Sequence, residues 1–175
     1  MIHHVLAPIL LDSSPLIYLA KIEALGAAAG AGYQLHITPA ILDETTREAI
    51  AYSHPDALVI ARAVERQDIA VVTPTQRELL SAEQIGTRAA GLHAGECQVL
   101  SVALARRWPA VFHERQAERV ARALNVITVH PVGLLFAGTP DPDLLASRIR
   151  RFGGLVDMRT SDIDALLERV ERRRR

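Results

Sequence analysis

The 175-residue sequence predicts an α/β domain built on a central parallel sheet with helices on both faces. Three observations carry this. Short apolar or β-branched runs alternate with longer stretches of helical periodicity. The first run, Ile9-Leu10-Leu11, is apolar throughout, as a strand buried on both faces must be. Proline or a capping hydroxyl follows several runs, where a helix would begin.

Taken in order, the first strand ends abruptly at Asp12. Ser13 and Ser14 can cap a helix, and Pro15 suits a first turn because its missing N–H is not needed there. The spacing predicts a helix over 15–29, with Leu16, Leu19, Ile22 and Leu25 roughly on one face, ended by Gly30 and Gly32. Residues 34–38 alternate polar and apolar and predict a second strand. Pro39 opens a helix over 39–50, and His54-Pro55 breaks the chain before another over 56–67. Residues 69–72 predict a third strand. Thr73-Pro74-Thr75 starts a helix over 77–82, and 86–91 reads as a loop. A strong helix over 94–107 ends at Trp108-Pro109. Then come a strand at 110–112, a helix at 115–124, a strand at 126–129 and a short helix at 131–137. A turn-rich break at 138–142 precedes two more helices, 143–151 and 161–174. The main domain is expected over 1–137, with 138–175 as a helical extension packed on it.

Composition narrows the function classes. The chain has 49% hydrophobic residues, enough for one sizeable core. Twenty basic residues balance twenty acidic ones, so no global field announces a nucleic-acid partner. A single cysteine, Cys97, excludes an internal disulfide and fits a reducing cytoplasm. No apolar run approaches the roughly 20 residues of a membrane span. No signal-peptide pattern precedes Asp12.

The acids are placed with a pattern. Asp12 ends the first strand. Glu44 lies one turn into the helix after the second. Glu96 opens the strong helix in Leu-His-Ala-Gly-Glu-Cys, and Glu114 directly follows Ala-Val-Phe-His. In a parallel sheet such junctions share one edge, where ligands bind in open α/β sheets. The helix dipole favours an acid in any one first turn, and Asp12 alone reads equally well as a helix cap. All four together are better explained by convergence, with Asp12, Glu44 and Glu96 near enough to share a cation. Clustered carboxylates repel unless a hard cation joins them, and Mg²⁺ or Mn²⁺ prefers oxygen ligands. Carboxylate-held metal plus activated water is phosphodiester-cleavage chemistry.

These residues carry a resemblance. The stretches Leu-Leu-Asp-Ser-Ser-Pro-Leu-Ile-Tyr-Leu, Ile-Thr-Pro-Ala-Ile-Leu-Asp-Glu, Leu-His-Ala-Gly-Glu-Cys-Gln-Val-Leu-Ser-Val-Ala, Ala-Val-Phe-His-Glu-Arg-Gln-Ala-Glu-Arg-Val-Ala and Val-Gly-Leu-Leu-Phe-Ala resemble, in order and spacing, the PIN-domain superfamily. The likeness runs from about residue 9 to about 137 and is nearest the small prokaryotic proteins related to VapC-type toxins. It implies a three-layer α/β/α sandwich and Mg²⁺- or Mn²⁺-dependent RNA cleavage. It also implies Asp12, Glu44 and Glu96 as metal ligands, and Ser13 or Ser14 orienting Asp12 or touching phosphate. It implies, too, an antitoxin-like inhibitor protein that sets an arginine among the carboxylates.

The chain departs from the family pattern at the fourth position. Where the family has Asp, this sequence has His113-Glu114, then Arg115. Both His113 and Glu114 are candidate ligands, and Glu114 joins the candidate catalytic acids. An imidazole suits Mn²⁺ better than Mg²⁺. Arg115 and Arg119 are candidates for meeting RNA phosphates, against the blander reading of pairing with Glu118. Asp43 is the reserve for Glu44. The basic tail ending in Arg172-Arg173-Arg174-Arg175 would strengthen RNA binding or simply lie in solvent. Apolar residues over 16–25 and 40–50 suggest a homodimer. The alternative to a nuclease is a catalytically degenerate domain that binds RNA or protein.

Overall fold

The computed structural model describes residues 6–47 and 54–174. Ile9, Leu10 and Leu11 are fully buried and end β1 (Ala7–Leu11). Only the middle of a sheet can cover a strand that is apolar on both faces, and β1 is the middle strand. β2 (Tyr33–Ile37) and β3 (Ile69–Val71) lie on one side of it, β4 (Ala110–Val111) and β5 (Thr128–Val129) on the other. All four pairings are parallel, and Leu10 stands between His36 and Ala110. The chain therefore winds outward from β1 in one direction, then returns to wind in the other. That reversal opens a crevice beside the C-terminal end of β1.

Helices flank the sheet as expected for an α/β sandwich. They are α1 (Ser13–Lys21), α2 (Ala27–Gly30), α3 (Pro39–Leu42), α4 (Pro55–Glu65) and α5 (Gln76–Arg88), then α6 (Ala94–Arg106), α7 (Arg115–Ala123), α8 (Pro131–Gly138), α9 (Pro142–Leu155) and α10 (Thr160–Arg172). Leu145, Ile149 and Phe152 of α9 and Val170 of α10 belong to the same buried core as the strands. No helix among the described residues is long and apolar enough to cross a membrane.

Three elements differ from expectation. The helix predicted over 15–29 splits, because Glu23 turns left-handed at φ 56°. The freed carbonyls at this helix end are taken by cations from α9: Arg148 donates to the Glu23 carbonyl at 2.7 Å and Arg151 to that of Lys21 at 2.7 Å. Positive groups at a helix C-terminus are favoured by its dipole. The helix predicted over 39–50 is regular only to Leu42 and widens into a π-helical turn at Asp43–Arg47, while 48–50 lie outside the described residues. The loop predicted at 86–91 is partly helix, since α5 runs through Gly86 to Arg88. Gly86 of α5 faces Cys97 of α6, whose Sγ an added Cβ would meet at an ordinary contact of 3.4 Å.

The distal end of α6 is pinned by one buried ion pair. Glu78, only 5% exposed, accepts from Arg106 at 2.7 and 2.9 Å, and Arg106 also donates to the Thr73 carbonyl at 3.1 Å. The same carboxylate accepts from the Thr75 backbone N–H at 2.6 Å and so caps α5. These donors, the Arg106 guanidinium foremost, hold the Glu78 carboxyl down at about 2 against an ordinary 4.5. Its contribution to stability is therefore complete above about pH 4.5 and is lost as pH falls toward about 2. Glu78→Gln is expected to cost about 2 kcal/mol at pH 7, since it leaves the partly buried Arg106 guanidinium without its charge partner, and much less near pH 2.5. Urea unfolding of both proteins at the two pH values checks this. An equal cost at both would show that the pair adds no charge-dependent stability.

Candidate functional site

The crevice beside β1 is a cleft of about 570 Å³. Asp12, Glu44, Glu96 and Glu114 all line it, together with Ser13 and Ser14. The strand-to-helix junctions thus bring the four predicted acids to one place. They do not form a closed ligand set. Among the described residues, no three His, Cys, Asp or Glu side chains are grouped tightly enough to hold a metal ion. The four carboxylates face one cleft without closing into a ligand set among the described residues.

Asp12 is the most constrained of the four. It sits at the N-cap of α1 with extended backbone, yet its side chain makes no capping hydrogen bond. It is 2% exposed, and its Oδ1 is buried with no hydrogen-bond partner. A cap role does not explain that placement. Burial pushes the carboxyl up to about 7, offset in part by the nearby Ser13 backbone N–H and reinforced by the charges of Glu96, Glu44 and Glu114.

Glu44 reaches the cleft from the π-helical turn. Thr45 and Thr46 supply the local cause: their hydroxyls donate back to the carbonyls of Ile41 and Leu42 at 2.7 and 2.6 Å. Such back-bonding replaces α-helical partners and widens the turn. Gly95 then makes room for the carboxylate. A Cβ there would fall 2.5 Å from Glu44 Oε1 and 2.8 Å from Ile41 Cδ1. Burial raises the Glu44 carboxyl above its ordinary range, and Glu96 adds to this. The Ser13 hydroxyl, the charge of His93 and the Gly95 backbone N–H oppose it. Ser13 therefore serves Glu44, whereas the sequence suggested Asp12 or phosphate.

Glu96, 6% exposed, lies in the first turn of α6, where its Oε2 accepts from the His93 backbone N–H at 2.7 Å. One oxygen caps the helix while the side chain still lines the cleft. Glu114 holds the N-cap position of α7, makes no capping bond and is exposed. Arg115 and Arg119 are exposed on α7 outside the cleft lining.

His113, the other candidate ligand after β4, lies among aromatic rings. It is absent from the cleft lining. Its ring packs edge-on against Tyr18 at 5.2 Å and Phe152 at 6.1 Å, with His130 at 6.2 Å. Rings from α1 and α9 pack against it. Two residues outside the expected set matter instead. Gly95 shapes the seat of Glu44. Gln116 lines the cleft and donates to the Ala90 carbonyl at 2.5 Å, tying α7 to the loop before α6. The Gly95-Glu96 pair was visible in the sequence, but its contact with Glu44 spans fifty residues and has no local signature.

The donor set suits a hard divalent cation. All four side chains offer carboxylate oxygens, and the unpartnered Asp12 Oδ1 is the kind of buried acceptor that such an ion satisfies. Asp12, Glu44 and Glu96 would have to draw together to hold it, with Glu114 at the rim.

Two outcomes are expected. Because the folded carboxyl of Asp12 is raised from 3.8 to about 7, its contribution is complete below about pH 4 and is lost as pH rises through about 7. Asp12→Asn should then be the more stable protein in EDTA at pH 8, by at most about 4 kcal/mol, and the two should converge near pH 4. Denaturant titration at both pH values decides it, and a less stable variant at pH 8 would make Asp12 a structural group. Gly95→Ala should displace Glu44 and weaken Mn²⁺ binding about tenfold or more, measured by calorimetry, with the loss read separately from any change in Tm.

A search of curated proteins returns no match to the chain. A comparison with protein families matches it to the PIN domain over residues 8–141. That match covers most of the sequence, including the sheet and every acid of the cleft, and the chain belongs to the PIN-domain family.

Proposed function

We propose that the protein is a divalent-metal-dependent endoribonuclease. The observation that carries this reading is the buried, unpartnered carboxylate of Asp12 in a cleft whose other walls bring Glu44, Glu96 and Glu114. Support comes also from the family, since PIN domains generally use divalent metal ions and bind RNA. A Mg²⁺ or Mn²⁺ ion bound here would supply an activated water and neutralise charge on the scissile phosphate. The chain's own residues prepare for that. Asp12 must give up a proton that burial makes it keep near neutrality, so cleavage should rise from pH 6 to pH 8. Ser13 orients Glu44, and the His93 N–H orients Glu96.

In the same reading the protein is cytoplasmic, and residues 138–175 extend a domain over 1–137. A toxin role, with an inhibitor that sets an arginine among the carboxylates, fits a cleft open to solvent. A homodimer would need residues other than those first suggested, because Leu16, Leu19, Ile22 and Ile41 are buried in the core. Leu58 and Val59 of α4 are exposed apolar side chains free to serve. The second reading, a silent domain that binds RNA or protein, is favoured by the lack of a closed ligand set among the described residues and by the absence of His113 from the cleft lining.

The test is cleavage of an end-labelled RNA at pH 8 with Mn²⁺, Mg²⁺ or EDTA. Wild type should cut only with metal, and Asp12→Asn and Glu44→Gln should each lose about a hundredfold or more. RNA that is bound but left intact with either ion would establish the silent reading.

A further inference from the structure

We propose that the outer face of α7 is the track on which a single-stranded nucleic acid leaves the acidic cleft, with Arg115, Arg119 and Arg122 meeting successive backbone phosphates. The proposal rests on the nuclease reading only in placing one end of the strand in the cleft.

The helix begins where the cleft ends. Glu114 and Gln116 line the cleft, and Arg115 lies between them in sequence. Ala117 and Ala121 are fully buried, which fixes the inner face. Arg115, Arg119 and Arg122 follow at spacings of four and three, so they form one row, and all three are exposed. The row covers about 10 Å along the axis at roughly 1.5 Å per residue.

Pairing within the helix would make this row a neutral surface. Glu118 is the acid placed to do that, but no ion pair among the described residues joins it to Arg115, Arg119 or Arg122. Glu118 is half-buried, and its charge acts on His130 instead. Several arginines of the C-terminal region are engaged instead. Arg148 and Arg151 are spent on carbonyls, and Arg159 and Arg174 on Asp162 and Asp143. The α7 row is thus a cationic surface with its charge available, beside a cleft of opposite sign. A polyanion cannot approach the carboxylates easily, but a strand whose flanking phosphates are held outside them can lay one phosphate there. An acidic protein segment is the competing occupant. The regular spacing of the row along a straight helix favours a repeating backbone charge.

The experiment measures binding of a fluorescein-labelled uridine 12-mer in EDTA, where no cleavage occurs, from 50 to 300 mM KCl. Arg119→Gln and Arg122→Gln should each weaken binding several-fold and lower the slope of log K against log salt by about 0.7. Arg62→Gln, on exposed α4, should change neither. Unchanged slopes in the α7 variants, equal losses in Arg62→Gln, or displacement of the RNA by poly-glutamate at equal charge concentration would overturn the track. Binding that follows these expectations without cleavage in Mn²⁺ would keep the track and remove the nuclease reading.

Discussion

The constraint on which the structure depends is a carboxylate at the end of a strand that has no water on either face. β1 must be central because its inner half is apolar all round, and this position delivers Asp12 into the interior with it. Several kcal/mol oppose an ion in such a place unless it is paired. The fold does not pair Asp12 with an arginine, as it does Glu78. It leaves Oδ1 unsatisfied and surrounds it with further acids. The two buried carboxyls are driven in opposite directions, Glu78 to about 2 and Asp12 to about 7. The first is a staple between helices; the second is a charge in want of a cation.

The remaining acids reach the cleft by different means. Glu96 is held by a helix-capping bond that any protein might make, so its place is cheap in energy. Glu44 needs a widened helical turn and a missing side chain at Gly95. The threonine hydroxyls that satisfy the Ile41 and Leu42 carbonyls stabilise that widening from within. Such departures from regular geometry tend to gather at working sites.

Local patterns made most of this readable from the sequence. The apolar run ending at Asp12, the prolines opening helices and the first-turn acids are each decided within a few residues, and the strands and the four acids follow from them. What stayed hidden depends on distant contacts. Nothing around Glu23 marks a break, because a glutamate rarely turns left-handed; the turn is held by arginines more than a hundred residues away. Gly86 looks like a loop residue until Cys97 is seen against it. The neighbours of Glu118 suggested ion pairs that the helix does not make.

His113 shows how far such contacts reach into the site. The position after β4 would point a small acid at the cleft, but an imidazole has two apolar faces to cover. Tyr18 and Phe152 pack against it edge-on, and Phe152 itself is fully buried. The ring is thereby drawn to the side of α9. Phe152 comes from the last third of the chain, beyond the segment matched to the PIN family. So the terminal helices do more than close the core. Phe152 packs against His113, while the exposed carboxylate of Glu114 lines the cleft at the head of the arginine row.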